Sequence, residues 1–338
     1  MCKKLFLVIC LSVLALFGSL SINTEKVSAY AASEIAMELS TQTVLTQSNA
    51  DTKMPMASTT KIMTALVIIE DCNLDEVITV PDEAVGVEGS SIYLKKGEEI
   101  DVRDLVYGLM LRSGNDAATA LAIHHSGSVE KFVEAMNKKA ASIGAENTNF
   151  TNPSGLPDEN HYTTARDLCN VACCAMKNET FKSVVSTKSY SGKFRSYANK
   201  NKMLYNYEGA NGVKTGYTVK AGRCLVSSAE RDGMDVVTVV LNCYDMYERS
   251  SALLDKCFSD YKLLEIDENK VFMSDRVLCK LDKTQKIVVP NSLNITFKVI
   301  PLKTPEITEN GKVIALLNIY CENSLIFEHN LYSIIDNE

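Results

Sequence analysis

Strand-type segments stand at both ends of residues 30–264, and helix-type segments fill the span between them. A chain ordered this way buries its strands most simply by pairing both ends in one antiparallel sheet and laying the helices over it. Residues 34–48 read as two strands around a polar turn. Residues 59–70 read as a helix with Ile62, Met63, Leu66 and Ile69 on one face. Asp101 caps a helix over 102–111, and further helices follow over 116–125, 129–143 and 165–177. Gly144 suits the end of the third of these, and Thr163 or Thr164 the start of the fourth. After residue 177 the chain reads as strand-rich, with 212–217 leading into 223–229. The turn Arg231-Asp232-Gly233-Met234 then enters an apolar strand over 236–243, long enough to be central. A helix over 253–261 closes this region. From about residue 265, short β-type runs at 271–278, 286–289, 293–299, 312–320 and 325–331 are separated by Asn, Pro, Gly and Lys. They read as a small all-β domain over 265–338, with no repeat and no low-complexity linker before it.

Three motifs sit at the landmarks of this pattern. Ser58-Thr59-Thr60-Lys61 opens the first helix, Ser113-Gly114-Asn115 follows the second, and Lys214-Thr215-Gly216 lies in a strand. Ser-x-x-Lys and Ser-x-Asn each occur three times and Lys-Thr-Gly once, but only Ser58, Ser113 and Lys214 give the three in this order. That order is the signature of active-site serine enzymes that handle penicillin and D-alanyl peptides. Ser128 reads as a helix cap, and Ser259 lies past the last motif. A serine hydroxyl needs a base within hydrogen-bond reach. Positions i and i+3 share a helix face, so Ser58 and Lys61 meet. Base action requires a neutral lysine, and burial beside a second cation, Lys214, lowers a lysine's pKa. Ser113 can relay a proton to a leaving group, and Asn115 can hold a substrate amide. Lys214 and Thr215 can bind a carboxylate, and Gly216 allows substrate close to the backbone.

Composition narrows the class. Apolar residues make up 46% and charged residues 23%, as in a soluble globular protein. A formal net charge of −7 argues against nucleic acid and against a polybasic membrane patch. Residues 1–29 read as an export signal: Lys3 and Lys4, a 16-residue apolar run, then small residues before cleavage after Ala29 or Ala31. An extracytoplasmic location is therefore expected. Of eleven cysteines, Cys2 and Cys10 leave with that signal. The odd remainder reads as buried apolar thiols, with Cys169 and Cys173 on one helix face. The four histidines have no zinc-ligand spacing, so no metal is expected. His161 and Asp167 could suggest a triad with serine, but a capped helix start beside a surface histidine accounts for them.

The segments around the motifs extend the likeness. Residues 55–66, residues 111–117, Asn152-Pro153-Ser154-Gly155-Leu156, residues 161–168 and residues 211–218 resemble segments of the serine-type D-alanyl-D-alanine carboxypeptidases, the low-molecular-weight penicillin-binding proteins. The resemblance runs over roughly residues 33–335. It implies an α/β fold of β-lactamase/transpeptidase type. That is a three-layer domain of antiparallel sheet and flanking helices with a helical subdomain, plus a small C-terminal all-β domain. It implies removal of the terminal D-alanine from peptidoglycan stem peptides through a Ser58 acyl-enzyme, with β-lactams acylating the same serine. It also implies catalytic roles for Ser58, Lys61 and Ser113, and substrate contacts from Asn115, Lys214, Thr215 and Gly216. The backbone N–H groups of Ser58 and Tyr217 would form the oxyanion hole, with no cofactor. Two features depart from the family: no amphipathic C-terminal anchor helix is expected, and Arg249 is left unassigned as a carboxylate ligand. A class A β-lactamase would need a water-activating glutamate followed by a leucine-asparagine pair. Glu146 is followed by Asn147-Thr148-Asn149, so slow release of β-lactam is expected.

Overall fold

The computed structural model describes residues 31–275, 277–302 and 310–334. The export signal expected at 1–29 lies outside them. Strands β1 (Ser33–Glu38) and β2 (Val44–Ser48) form a hairpin. Helix α1 (Lys61–Asp71) follows a single 3-10 turn, Ala57–Thr60. The helical middle then contains α2 (Val102–Tyr107), α3 (Asn115–Ser126), α4 (Val129–Ile143) and α5 (Ala165–Met176). Their caps follow the sequence reading. Asp101 accepts from the Asp104 N–H, Ser128 from that of Lys131 and Thr164 from that of Asp167, and Gly144 ends α4 at φ 83°. The stretch after residue 177 differs from the strand expectation. Asn178 caps a helix, α6 (Glu179–Ser186), with its side chain accepting from Thr180 and Phe181. Phe181, Val184 and Val185 at helical spacing give that helix a buried face, which outweighs the β-branched residues in it.

Strands β3 (Ala210–Thr218), β4 (Gly222–Arg231) and β5 (Met234–Leu241) complete an antiparallel sheet in the order β2-β1-β5-β4-β3. The chain's early hairpin thus closes on its late strands, with Ser33 opposite Leu241 and Ile35 opposite Val239. Alternation builds two cores. Ile35, Met37, Val237 and Val239 face α1 and the helical middle. Ala36, Val236 and Val240 face α7 (Met246–Asp260), which starts earlier than the sequence suggested. The result is three layers: helices, sheet, helix. Helix α1 is buried nearly all round, Val67 and Ile68 included, whereas Ile69 is only half-buried. Beyond α7, strand Tyr261–Ile266 pairs with Gln285–Pro290, and a five-stranded antiparallel sheet follows. Its core holds Ile266, Leu281, Leu317, Ile319 and Leu331. All nine cysteines among the described residues are free, and seven of them are buried.

Candidate active site

The site lies where the 3-10 turn before α1 meets the edge strand β3. Ser58 is on that turn and Lys61 is the first residue of α1. Lys61 is fully buried, and its Nζ lies 3.0 Å from Ser58 Oγ. Two further oxygens surround the same nitrogen: Asn115 Oδ1 at 2.7 Å and the Ser154 carbonyl at 2.5 Å. Asn115 Nδ2 donates to the Glu88 carbonyl at 2.6 Å, which turns Oδ1 toward the lysine. Ser154 is placed by Asn152, whose Oδ1 accepts the N–H groups of Ser154, Gly155 and Leu156. Pro153 in that loop takes the Thr64 hydroxyl at 2.6 Å, locking the loop onto α1.

Burial first, and the Lys214 ammonium second, hold Lys61 well below the usual lysine pKa, with Asp116 opposing. Burial and then Lys200 bring Lys214 down to about 7. Lys214 donates to the Thr215 carbonyl at 2.9 Å. Asp116 is buried and accepts from Ser91 and from the N–H groups of Ile92 and Leu94, which anchors the loop beside Asn115. Nothing but its position after Asn115 marks Asp116 in the sequence.

Ser113 follows a π-helical turn, Gly108–Arg112, and is buried in a left-handed conformation at φ 65°. It faces a cavity of about 320 Å³ with Ser58, Lys200, Thr215, Arg223 and Tyr247. A second cavity, of about 520 Å³, is lined by Ser58, Glu88, Asn115, Leu156, Tyr217 and Val219 among others. Both reach Ser58, so the serine stands between two halves of one cleft. A larger cavity of about 710 Å³ near Arg231 and Phe258 carries none of the motif residues. The reason for Gly216 is sharper than the sequence suggested. A Cβ there would stand 3.1 Å from Met56 O and from Ser58 N, so the glycine lets β3 touch the serine's own turn.

One sequence reading is corrected. His161 is buried, not a surface residue, and Asp167 is not its partner. Asp167 instead accepts from the Asn147 N–H and the Thr148 hydroxyl. Arg249, left unassigned, grips the buried Glu34 through Nε and Nη2, which ties α7 to β1. Glu146 is exposed and is not among the residues lining either half of the cleft. Lys200 and Arg223 carry no motif, and folding alone brings them to the cleft.

Gly155 supports the turn from below. It has φ +87°, and a Cβ would fall 2.0 Å from the Ala57 carbonyl oxygen. Gly155→Ala is therefore expected to lower unfolding free energy by about 2–4 kcal/mol, within the range for severe single-site effects. Thermal or denaturant melting checks this, and an unchanged midpoint would contradict the packing described.

The sequence profile of peptidase family S11, D-alanyl-D-alanine carboxypeptidase, matches residues 21–245 and so includes all three motifs. The chain is 36% identical over 258 residues to the D-alanyl-D-alanine carboxypeptidase DacF of Bacillus subtilis, which covers 71% of this chain and 65% of that relative. It therefore spans a little under two thirds of the Bacillus protein's length. It is 40% identical over 238 residues to the D-alanyl-D-alanine carboxypeptidase of Streptomyces strain K15, covering 64% of this chain and 82% of the relative. The solved structure of penicillin binding protein 5 from Haemophilus influenzae superposes with a TM-score of 0.78 at 28% identity. That superposition covers 90% of this chain and 97% of the other, so it takes in the three layers and the β-rich C-terminal region alike. By its profile match, and by a fold shared over nearly its whole length, the chain belongs to the D-alanyl-D-alanine carboxypeptidase family of peptidases.

Proposed function

We propose that this chain is a serine D,D-carboxypeptidase that removes the terminal D-alanine from peptidoglycan stem peptides through a Ser58 acyl-enzyme. The observation that carries the reading is the surroundings of Lys61. A neutral amine has two N–H groups and one lone pair. The Ser154 carbonyl and Asn115 Oδ1 can only accept, so they take both N–H groups. The lone pair is left for the Ser58 hydroxyl 3.0 Å away. Lys61 then removes the Ser58 proton as Oγ attacks the penultimate D-alanine carbonyl. The N–H groups of Ser58 and Tyr217 hold the oxyanion. Ser113 passes the proton to the departing amine, free D-alanine leaves, and water hydrolyses the ester. β-Lactams acylate the same oxygen. Export by residues 1–29 would place the enzyme at the wall. Among the described residues no helix is long and apolar enough to cross a membrane.

The departing residue carries a carboxylate, and the 320 Å³ half of the cleft is basic, with Lys200 and Arg223 beside Thr215. We assign that half to the leaving group, with Lys214 and Thr215. Arg223 stacks on the Tyr244 ring at 4.8 Å, which holds its guanidinium in place. Arg223→Leu is expected to raise KM for a diacetyl-Lys-D-Ala-D-Ala tripeptide about tenfold, equivalent to about 1.4 kcal/mol, with kcat changed less. An unchanged KM would remove Arg223 from the subsite. The activity itself is tested by following D-alanine release from this tripeptide. No release by protein that retains its folded spectrum would end the reading.

A further inference from the structure

The turn that carries Ser58 is held in an unusual state. Ala57 is not glycine, yet it takes φ 49°. A left-handed alanine costs about 1–2 kcal/mol and persists only where its surroundings fix it. A buried chain of hydrogen bonds does so here. The Thr151 N–H donates to His161 Nδ1 at 3.0 Å, and the Thr151 hydroxyl lies 3.3 Å from the same nitrogen. Nδ1 is therefore an acceptor, and the ring proton is on Nε2. Nε2 lies 2.8 Å from Thr60 Oγ1 and donates to it. The Thr60 hydroxyl has one proton, and it goes to the Ala57 carbonyl at 2.8 Å.

We infer that His161 is a positioning residue that aims the Ser58 N–H through Thr60 and the Ala57 carbonyl. In a trans peptide, the carbonyl of one residue and the N–H of the next point to opposite sides of one rigid plane. Fixing the Ala57 oxygen on the His161 side therefore turns the Ser58 N–H away from it. Ser58 N lies close against β3, 3.1 Å from where a Cβ on Gly216 would stand. This deepens the acyl-enzyme reading and rests on it, since the aimed N–H is one of the two proposed oxyanion donors. The histidine touches neither serine oxygen nor Lys61 Nζ by any hydrogen bond in the structure, so it acts through its neighbours. Its environment suits a fixed neutral ring. Burial brings its pKa down to about 4, Lys61 on α1 adds to that, and Asp158 on its own loop opposes. The Phe150 ring packs edge-on at 5.8 Å.

The experiment compares Thr60→Val, His161→Leu and His161→Gln with wild type. Thr60→Val keeps the shape and removes the relay, and glutamine keeps a donor for Thr60. The account predicts that Thr60→Val and His161→Leu lower kcat for D-alanine release and the penicillin acylation rate by about 10–100-fold, with KM within about threefold. It predicts that His161→Gln recovers most of the loss. Melting curves sort out folding failures. Should the leucine variant not fold, nitrogen NMR of wild-type His161 still decides, because the relay requires the Nε2–H tautomer. A folded Thr60→Val with wild-type acylation, or an Nδ1–H tautomer, overturns the inference. Covalent labelling of Ser58 in wild type tests the acyl-enzyme reading separately. If labelling stands and the variants are normal, only the positioning role fails.

Discussion

Ser58→Ala is expected to lose D-alanine release by a factor of about 10⁴ or more, and to lose penicillin labelling entirely. The substitution removes the one oxygen that joins both halves of the cleft to Lys61. It should leave the fold intact. Ser58 is only half-buried, and the 3-10 turn is held by its neighbours: Thr59 Oγ1 donates to Met56 O at 2.7 Å and Thr60 Oγ1 to Ala57 O at 2.8 Å. Melting curves that overlay those of wild type are thus part of the expected result. Substrate should still bind, because the carboxylate subsite at Lys214, Thr215 and Arg223 is untouched. A mutant that still forms a covalent penicillin adduct would show another residue to be the nucleophile.

Replacing the base is the second large effect. Lys61→Met is expected to slow acylation by about 10²–10⁴-fold, the usual contribution of a positioned general base. It also strands two buried acceptors, Asn115 Oδ1 and the Ser154 carbonyl, so a stability loss of about 1–3 kcal/mol for each accompanies it. The pH profile separates the two effects. Lys61 works as a base only when neutral, so kcat/KM rises as pH climbs through its depressed pKa. Lys214 binds a carboxylate only when charged, and it loses its proton at about 7, so kcat/KM falls above that point. The free enzyme should therefore show a descending limb near neutrality. A bound carboxylate stabilises the Lys214 ammonium, so the descending limb of kcat should lie at higher pH than that of kcat/KM. Lys61→Met should lose the ascending limb and keep the descending one. A free-enzyme profile with no fall near neutrality would contradict the Lys214 assignment.

The sequence made the layered fold legible because its strand and helix periods are clean and well capped. The strand pair read over 34–48 and the apolar run over 236–243 pointed to a sheet with a central strand covered by helices, and the structure places the strand at Met234–Leu241. It misled at 179–186, where a short helix rich in β-branched residues reads as strand until its Asn178 cap and its partners are known. Ser58, Lys61, Asn115, Lys214 and Gly216 were found by motif, and the structure places them around one cleft. Of the environment that tunes them, only burial and the Lys214 cation beside Lys61 were legible. The Ser154 carbonyl, the buried His161 and the basic pair Lys200 and Arg223 are brought in from distant segments by tertiary packing. No local pattern records that a backbone oxygen will meet a lysine 93 positions away. Gly216 was marked for close approach of substrate, and the structure adds a second close neighbour, the turn that carries Ser58.

Peptide mapping of penicillin-treated protein by mass spectrometry tests the central claim most directly. Trypsin cuts after Lys53 and Lys61, so Ser58 lies on the fragment covering residues 54–61. The account predicts one drug molecule per chain, carried on that fragment and lost in Ser58→Ala. An adduct on any other fragment, or folded protein that takes up none, would contradict it.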